Sequence, residues 1–165
     1  MNKKLFQPTD LQRVVYPSDV TISRNGQRGA WVESKSSDDR GCFISKIYLV
    51  ELPSGKISEV NTPGGDDPQH PRLLCEGDKL LYLGKRSGTY QIYLRDLVSG
   101  TDRKITSARH GVKRFSVSED ESAIAFETTL GYLEKMVVFD LSSRFKSKST
   151  LFLLVVFCSI TGILY

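Results

Sequence analysis

Three stretches of the chain share one pattern: Lys46-Ile47-Tyr48-Leu49-Val50-Glu51-Leu52, Gln91-Ile92-Tyr93-Leu94-Arg95-Asp96-Leu97 and Lys135-Met136-Val137-Val138-Phe139-Asp140-Leu141. Each copy has apolar residues followed by an acidic residue and leucine, and successive copies lie about 45 residues apart. A period of this length indicates stacked units of supersecondary structure rather than one irregular domain.

Other short runs rich in β-branched and aromatic residues flank each copy. They are separated by turn formers such as Asn25-Gly26, Pro53-Ser54-Gly55 and Val98-Ser99-Gly100. Runs of this kind predict strands rather than helices. Four strands are predicted per unit. Four antiparallel strands in a repeat of about 40–50 residues are typical of a β-propeller blade.

We therefore predict an all-β chain of antiparallel four-stranded blades, an incomplete β-propeller of about two and three-quarter blades. The predicted segments are an N-terminal segment at 1–17, blades at about 18–63, 64–108 and 109–141, and a basic linker with an apolar tail at 142–165. In the first segment, Thr9 and Gln12 form a capping pair that predicts a short helix ending near Pro17. A ring usually has four to eight blades, so we expect self-association through open blade edges.

The composition excludes several classes of protein. The chain has 165 residues, with 23 Lys+Arg against 19 Asp+Glu, and this near balance argues against a nucleic-acid partner. Cys42, Cys75 and Cys158 form no C-x-x-C pair, which argues against a zinc site or a disulfide framework and suits a reducing compartment. The first ten residues lack the apolar run of a secretory signal, so we expect a cytoplasmic protein.

The C-terminal stretch differs from the rest. Residues 151–165 read LFLLVVFCSITGILY, without a charge, after Arg144, Lys146 and Lys148. We favour an out-of-frame or spurious extension, because the composition changes where the repeat fails. The second interpretation is a membrane anchor, although fifteen helical residues reach only about 22 Å of a hydrocarbon core of about 30 Å. The third is a collapsed apolar strand or helix on the open blade face.

The N-terminal residues resemble a known family. Leu5-Phe6-Gln7-Pro8-Thr9-Asp10-Leu11 and the segment 18–32 are similar to the start of prolyl oligopeptidase family serine peptidases, in the acylaminoacyl-peptidase and dipeptidyl-peptidase-like branch. Residues 92–106 resemble that family's blade pattern. TolB-like propellers share the blade pattern but not the Pro-x-Asp-Leu opening. Two turns, Arg24-Asn25 and Glu119-Asp120-Glu121, depart from the family's pattern.

The resemblance implies that this propeller filters substrates for a separate C-terminal α/β-hydrolase domain with a Ser, Asp and His triad. No G-x-S-x-G motif occurs in the 165 residues, and the two histidines, His70 and His110, are predicted in loops between blades. We assign no catalytic, cofactor-binding or metal-binding residue. We expect no hydrolysis by this chain alone, and peptide substrates only if a hydrolase domain is supplied.

Two functions remain open on this basis. The first is an inactive N-terminal propeller fragment of an acylaminoacyl- or dipeptidyl-peptidase-like enzyme, from a truncated or interrupted gene. The alternative is a TolB-like interaction module that completes its ring by oligomerisation or with a partner.

Several local features have the residue types of a site, but a structural role is favoured for each. The loop Gly64-Gly65-Asp66-Asp67-Pro68-Gln69-His70-Pro71 has ligands for a metal or a substrate amine, yet it is rich in turn formers. The basic clusters Lys85-Arg86 and 109–114 would suit phosphate, yet no aromatic residues interleave them, and we predict solvated loops.

Two further features have structural interpretations of the same kind. Asp38-Asp39-Arg40-Gly41 is predicted to lengthen a surface hairpin of the first blade. Trp31, Tyr82 and Phe126 occupy one equivalent position in the three units, and we predict that they are core residues rather than a stacking platform.

Overall fold

The computed structural model describes residues 7, 10, 13–37, 42–63, 67–86, 88–130, 133–140 and 155–157. These residues form an all-β chain of three antiparallel sheets with the strand orders β1-β2-β3-β4, β5-β6-β7-β8 and β9-β10-β11-β12. The strands are β1 (Val15–Ile22), β2 (Arg28–Ser36), β3 (Phe43–Glu51), β4 (Lys56–Val60), β5 (Gln69–Leu74), β6 (Lys79–Gly84), β7 (Gln91–Asp96), β8 (Asp102–Lys104), β9 (Val112–Val117), β10 (Ala123–Leu130), β11 (Leu133–Asp140) and β12 (Val155–Phe157). The predicted all-β class and the four-stranded antiparallel units are confirmed.

The register of the sheets matches the sequence repeat. Trp31 on β2 pairs with Tyr48 on β3, and Tyr82 on β6 pairs with Tyr93 on β7. In the third sheet, Phe126 on β10 pairs with a residue of β11 at the same point. The repeat of about 45 residues therefore corresponds to one sheet, in which each strand pairs with its neighbour in sequence.

The start of the first sheet differs from the sequence prediction. Part of the predicted helix, Leu11 and Gln12, lies outside the described residues, and β1 already begins at Val15. Pro17 is therefore inside a strand rather than at the end of a helix, and it faces Glu33 of β2. Proline is tolerated there because β1 is an edge strand of its sheet, where one row of backbone groups has no partner among the described strands.

The apolar tail contributes one short strand. Of residues 151–165, the structure describes Val155–Phe157, which pairs antiparallel with Met136–Val138 of β11. This strand extends the edge of the third sheet, and it does not lie on an open blade face as the third interpretation of the tail expected. The other residues of this stretch lie outside the described part of the chain.

Alternation along the strands divides the core into two layers. We call the face of a sheet that points toward the preceding sheet its leading face, and the opposite face its trailing face. The layer between the first and second sheets contains Ala30, Val32, Ile47, Val60, Leu73, Leu80, Tyr82 and Tyr93. The layer between the second and third sheets contains Leu74, Leu81, Leu83, Ile92, Leu94, Ile105, Val112, Phe115, Ile124 and Phe126. Neighbours such as Leu80 and Leu81 thus enter different layers, as strand geometry requires.

The first hairpins of the first and third sheets use one turn design. The Ser23 amide donates to the carbonyl of Arg28 at 2.8 Å, and the Ser118 amide donates to that of Ala123 at 3.0 Å. In the third sheet, Asp120 accepts hydrogen bonds from both neighbouring serine hydroxyls, and these bonds lower its pKa to about 2. The two turns that depart from the family's pattern therefore still close their hairpins.

Candidate functional site

Two bulges on the first strands of neighbouring sheets bring an acid and a histidine together. The register shifts between Ser18 and Thr21 in β1, and between Gln69 and Arg72 in β5. Each bulge contains a residue with a left-handed backbone, Asp19 with φ 53° and His70 with φ 50°. Such conformations are uncommon for non-glycine residues and persist only where the surrounding structure holds them.

Both carboxylate oxygens of Asp19 contact His70. The His70 amide donates to Oδ2 at 3.2 Å, and Nδ1 lies 3.2 Å from Oδ1. The prediction that His70 lies in a loop is wrong, because His70 lies within β5, at the bulge of that strand. The pair joins the first two sheets and is 29% and 40% exposed at its side chains, so solvent reaches it.

A second polar pair lies beside this one. The Tyr90 hydroxyl donates to the Asp67 carboxylate, and the Gln69 side-chain amide donates to that hydroxyl at 2.8 Å. Burial, and then the hydrogen bond and charge of the carboxylate, raise the pKa of Tyr90 well above its ordinary value. Tyr90 therefore remains a protonated donor at neutral pH. The Lys85 ammonium lies 5.7 Å from the centre of its ring.

Asp67 and His70, which make these contacts, belong to the predicted loop at 64–71. Its first three residues, 64–66, lie outside the described part of the chain. Among the described residues, no group of three or more His, Cys, Asp and Glu side chains has the arrangement of a metal site. Asp67 and His70 instead make contacts within the protein through their polar groups.

A charged cluster that sequence analysis missed lies in the second sheet. The Asp102 carboxylate lies 2.9 Å from the Arg95 guanidinium and 3.2 Å from the Arg86 guanidinium. It also accepts a hydrogen bond from the Tyr82 hydroxyl at 3.3 Å. The Arg86 guanidinium also lies 4.0 Å from the centre of the Tyr93 ring. The Asp102 side chain is only 8% exposed, so this is a largely desolvated ion cluster.

The environment of Arg86 contradicts one prediction. We predicted Lys85-Arg86 as a solvated loop, but the arginine is half-buried against tyrosine and carboxylate. Arg95 and Asp102 face each other across β7 and β8. The turn that follows Asp96 sets the register of β7 and β8. This register could have predicted the Arg95–Asp102 pair from the sequence.

The three equivalent aromatic residues do not share one environment. Tyr82 and Phe126 are buried, as predicted. The prediction is wrong for Trp31, which is partly exposed and stacks on Tyr48 with ring centres 5.7 Å apart. Its indole N–H donates to Glu33 at 2.9 Å. The reason is that Trp31 lies on the leading face of the first sheet, which no other described sheet covers.

A cavity of about 460 Å³ lies on the same face. It is lined by Val15, Glu33, Lys35, Ser36, Ser37, Ile44, Lys46 and Tyr48. The lining mixes apolar side chains with charges of both signs.

In the basic cluster 109–114, Arg114 and Lys113 both pair with Glu127, so part of its charge is neutralised. The hairpin segment 38–41 lies outside the described residues. Cys42 and Cys75 are exposed free thiols, and burial raises the pKa of Cys75. In the part of the chain that the structure describes, no helix has the length and hydrophobicity needed to cross a bilayer.

Comparison with known proteins adds one sequence relative. No family model matches the chain. The uncharacterized peptidase YuxL of Bacillus subtilis (strain 168) is 28% identical over 130 residues, which is 78% of this chain and 20% of that protein. The chain thus spans about a fifth of the length of the curated relative that it matches.

Solved structures share the fold. Acylaminoacyl peptidase of Pyrococcus horikoshii has a TM-score of 0.66 at 16% identity, over 93% of this chain and 27% of that one. TolB of Acinetobacter baumannii has a TM-score of 0.60 at 21% identity, over 76% of this chain and 30% of that one. The resemblance to these proteins is confirmed. The chain is a β-propeller segment similar to the propellers of TolB and of acylaminoacyl and prolyl peptidases.

Proposed function

We propose that this chain is the substrate-gating propeller portion of a serine peptidase of the acylaminoacyl- or dipeptidyl-peptidase type, and that its 165 residues do not hydrolyse peptides by themselves. The observation that carries the proposal is the 28% identity to a peptidase over 130 residues, which goes beyond a shared fold. Blades at about 18–63, 64–108 and 109–141 belong to the proposal. A cytoplasmic location is supported by the free thiols Cys42 and Cys75.

The polar pairs on the first two sheets suggest how such a propeller would meet a peptide. Asp19 with His70, and Asp67 with Tyr90, lie side by side because His70 directly follows Gln69, which binds Tyr90. They present charge and hydrogen-bonding groups at a partly solvent-exposed place. A peptide passing along these strands would meet partners for its backbone and its charged ends.

Two measurements test the proposal. Reading the coding DNA downstream is expected to reveal a continuation, in the same or a shifted frame, that encodes a hydrolase domain with a G-x-S-x-G motif. Further blades without that motif would contradict the peptidase relationship. The purified chain is expected to show no turnover of acylated or dipeptide chromogenic substrates above the buffer rate. Turnover that remains constant through successive purification steps would overturn the claim that these residues are inactive alone.

A second function, an interaction module that completes its ring by oligomerisation or with a partner, is favoured by a different observation. The leading face of the first sheet carries Trp31, Tyr48 and the 59% exposed Ile57, without a described sheet against it. A contiguous apolar face of this kind is typical of a surface that contacts another protein. If the downstream DNA encodes no hydrolase domain, this function becomes the better explanation.

A further inference from the structure

The leading face of the first sheet is an apolar surface with a defined composition. Ile22, Val50 and Ile57 lie in one row across the sheet, and Trp31 and Tyr48 lie in the next row. Ile22 and Ile57 are 61% and 59% exposed. Large apolar side chains gathered at this exposure are unfavourable in water and gain free energy when they are covered.

The second sheet shows what covers the equivalent surface. Its leading face carries Tyr82 and Tyr93 at the positions that Trp31 and Tyr48 occupy in the first sheet, and these tyrosines stack at 5.8 Å. They are buried by the trailing face of the first sheet, where Ala30 leaves room between larger side chains. Within this fold, the occupant of a leading face is therefore the trailing face of another sheet.

The chain also has a trailing face without a sheet against it among the described residues, that of the third sheet. Ile124 and Phe126 point into the inner layer, so Ala125 and Glu127 lie on the outer side of β10. Ala125 has the position that Ala30 has in the first sheet. Its partner across β9 is the exposed Ser116. This surface has small residues where the aromatic pair of a leading face would need space.

Both faces carry charged residues of both signs, at positions away from the first hairpin of their sheet. On the leading face, Glu33 of β2 lies opposite Lys46 of β3 in register, away from the first hairpin of the sheet, and Lys46 forms an ion pair with Glu59 of β4. On the trailing face, Arg114 and Glu127 pair across β9 and β10, also away from the first hairpin. The Arg114 side chain is 78% exposed. If the trailing face of the third sheet stacks on the leading face of a first sheet in the orientation of the other sheets, the charged residues of the two faces lie near each other. The aromatic residues of the leading face then lie against Ala125 and Ser116.

We propose that two copies of this chain associate head to tail, with the third sheet of each copy packed on the leading face of the first sheet of the other. The proposal rests on the interaction-module function given above. Two different surfaces meet in each contact, and such heterologous contacts close into a ring when the rotation permits. A pair of copies with three sheets each would form a ring of six sheets, within the usual range of four to eight.

The oligomeric state of the full chain tests the proposal. Light scattering after size exclusion is expected to give twice the 18.5 kDa of one chain. Ile57→Lys on the leading face and Ser116→Glu on the trailing face are each expected to raise the dissociation constant about 100-fold, because each buries a charge in an apolar contact. Val98→Lys is the matched control, since Val98 is 80% exposed in a turn, and it is expected to remain a dimer.

Mixing the two variants tests the head-to-tail arrangement. Each variant retains one intact face, so Ile57→Lys and Ser116→Glu together are expected to recover a mixed dimer that neither forms alone. Thermal unfolding followed by circular dichroism tests whether each variant is folded. If Ile57→Lys does not fold, Ile22→Lys takes its place as the leading-face variant.

A monomeric wild-type chain at 100-fold dilution and at the highest soluble concentration would overturn the proposal, and so would dimers that both variants leave unchanged. Failure of the mixture to recover a dimer would also overturn it. None of these results bears on the gating function, which the downstream DNA and the substrate assay decide separately.

Discussion

Leu81 offers a direct test of how the three sheets depend on each other. Its side chain is fully buried between the second and third sheets, whereas Trp31 lies on the far side of the first sheet. Trp31 is the single tryptophan of the chain and lies in β2, so its fluorescence reports unfolding of the first sheet. If the second sheet couples the two core layers, Leu81→Ala will lower the stability of the first sheet, which Leu81 does not contact.

The magnitude follows from burial. Leucine to alanine removes three carbon atoms, which costs about 2 kcal/mol of transfer free energy, and the cavity raises the loss to about 3 kcal/mol. With a urea slope of about 2 kcal/mol per molar, the unfolding midpoint falls by about 1.5 M. Val98→Ala is the control. Because Val98 is 80% exposed, its midpoint is expected to move by less than about 0.2 M.

The assay is urea unfolding followed by Trp31 fluorescence and by far-ultraviolet circular dichroism at one protein concentration. In Leu81→Ala, both signals are expected to show the same lowered midpoint. Stacked repeats can also unfold unit by unit, because each contacts only its neighbours. A dichroism midpoint that falls while the fluorescence midpoint stays at the wild-type value would refute the coupling through the second sheet.

Three other substitutions have expected outcomes. Asp102→Asn leaves two arginines without their carboxylate and is expected to cost about 3 kcal/mol in urea unfolding, against less than about 1 kcal/mol for the exposed Asp78→Asn. Gly111→Ala meets backbone atoms at 3.1 Å with φ at 80°, so its thermal midpoint is expected to fall further than that of Gly55→Ala, which has open space. Asp120 has its pKa lowered to about 2, so its carboxylate stabilises the fold above the unfolded value near 4 and loses this effect as pH falls through 2. The difference in thermal midpoint between wild type and Asp120→Asn is accordingly expected to shrink over that range.

The sequence predicted the regular part of the fold because the repeat constrains it. The interval of about 45 residues placed Tyr48 and Tyr93 at equivalent points, and the strand pairing places them opposite Trp31 and Tyr82. These features depend on local alternation and turn residues, which a single sequence displays.

The errors arose where tertiary contacts override local signals. Pro17 was interpreted as the end of a helix, but pairing with β2 extends the strand past it. His70 was assigned to a loop, although a bulge and the carboxylate of Asp19 hold it within a strand. Arg86 was assigned to solvent, because its partner Asp102 is distant in sequence and becomes adjacent only when β8 pairs with β7.

The position of Trp31 connects the fold with both proposed functions. The same repeat position gives a buried tyrosine in the second sheet and a partly exposed tryptophan in the first, so the neighbouring sheet rather than the residue type determines burial. A gating propeller would cover Trp31 with another blade of a longer chain, and an interaction module would cover it with a second copy. Both functions therefore require a sheet at the same surface. Fluorescence of Trp31 in the isolated chain tests the second arrangement, because a blue-shifted emission that becomes red-shifted on dilution is expected only when the covering sheet comes from another molecule.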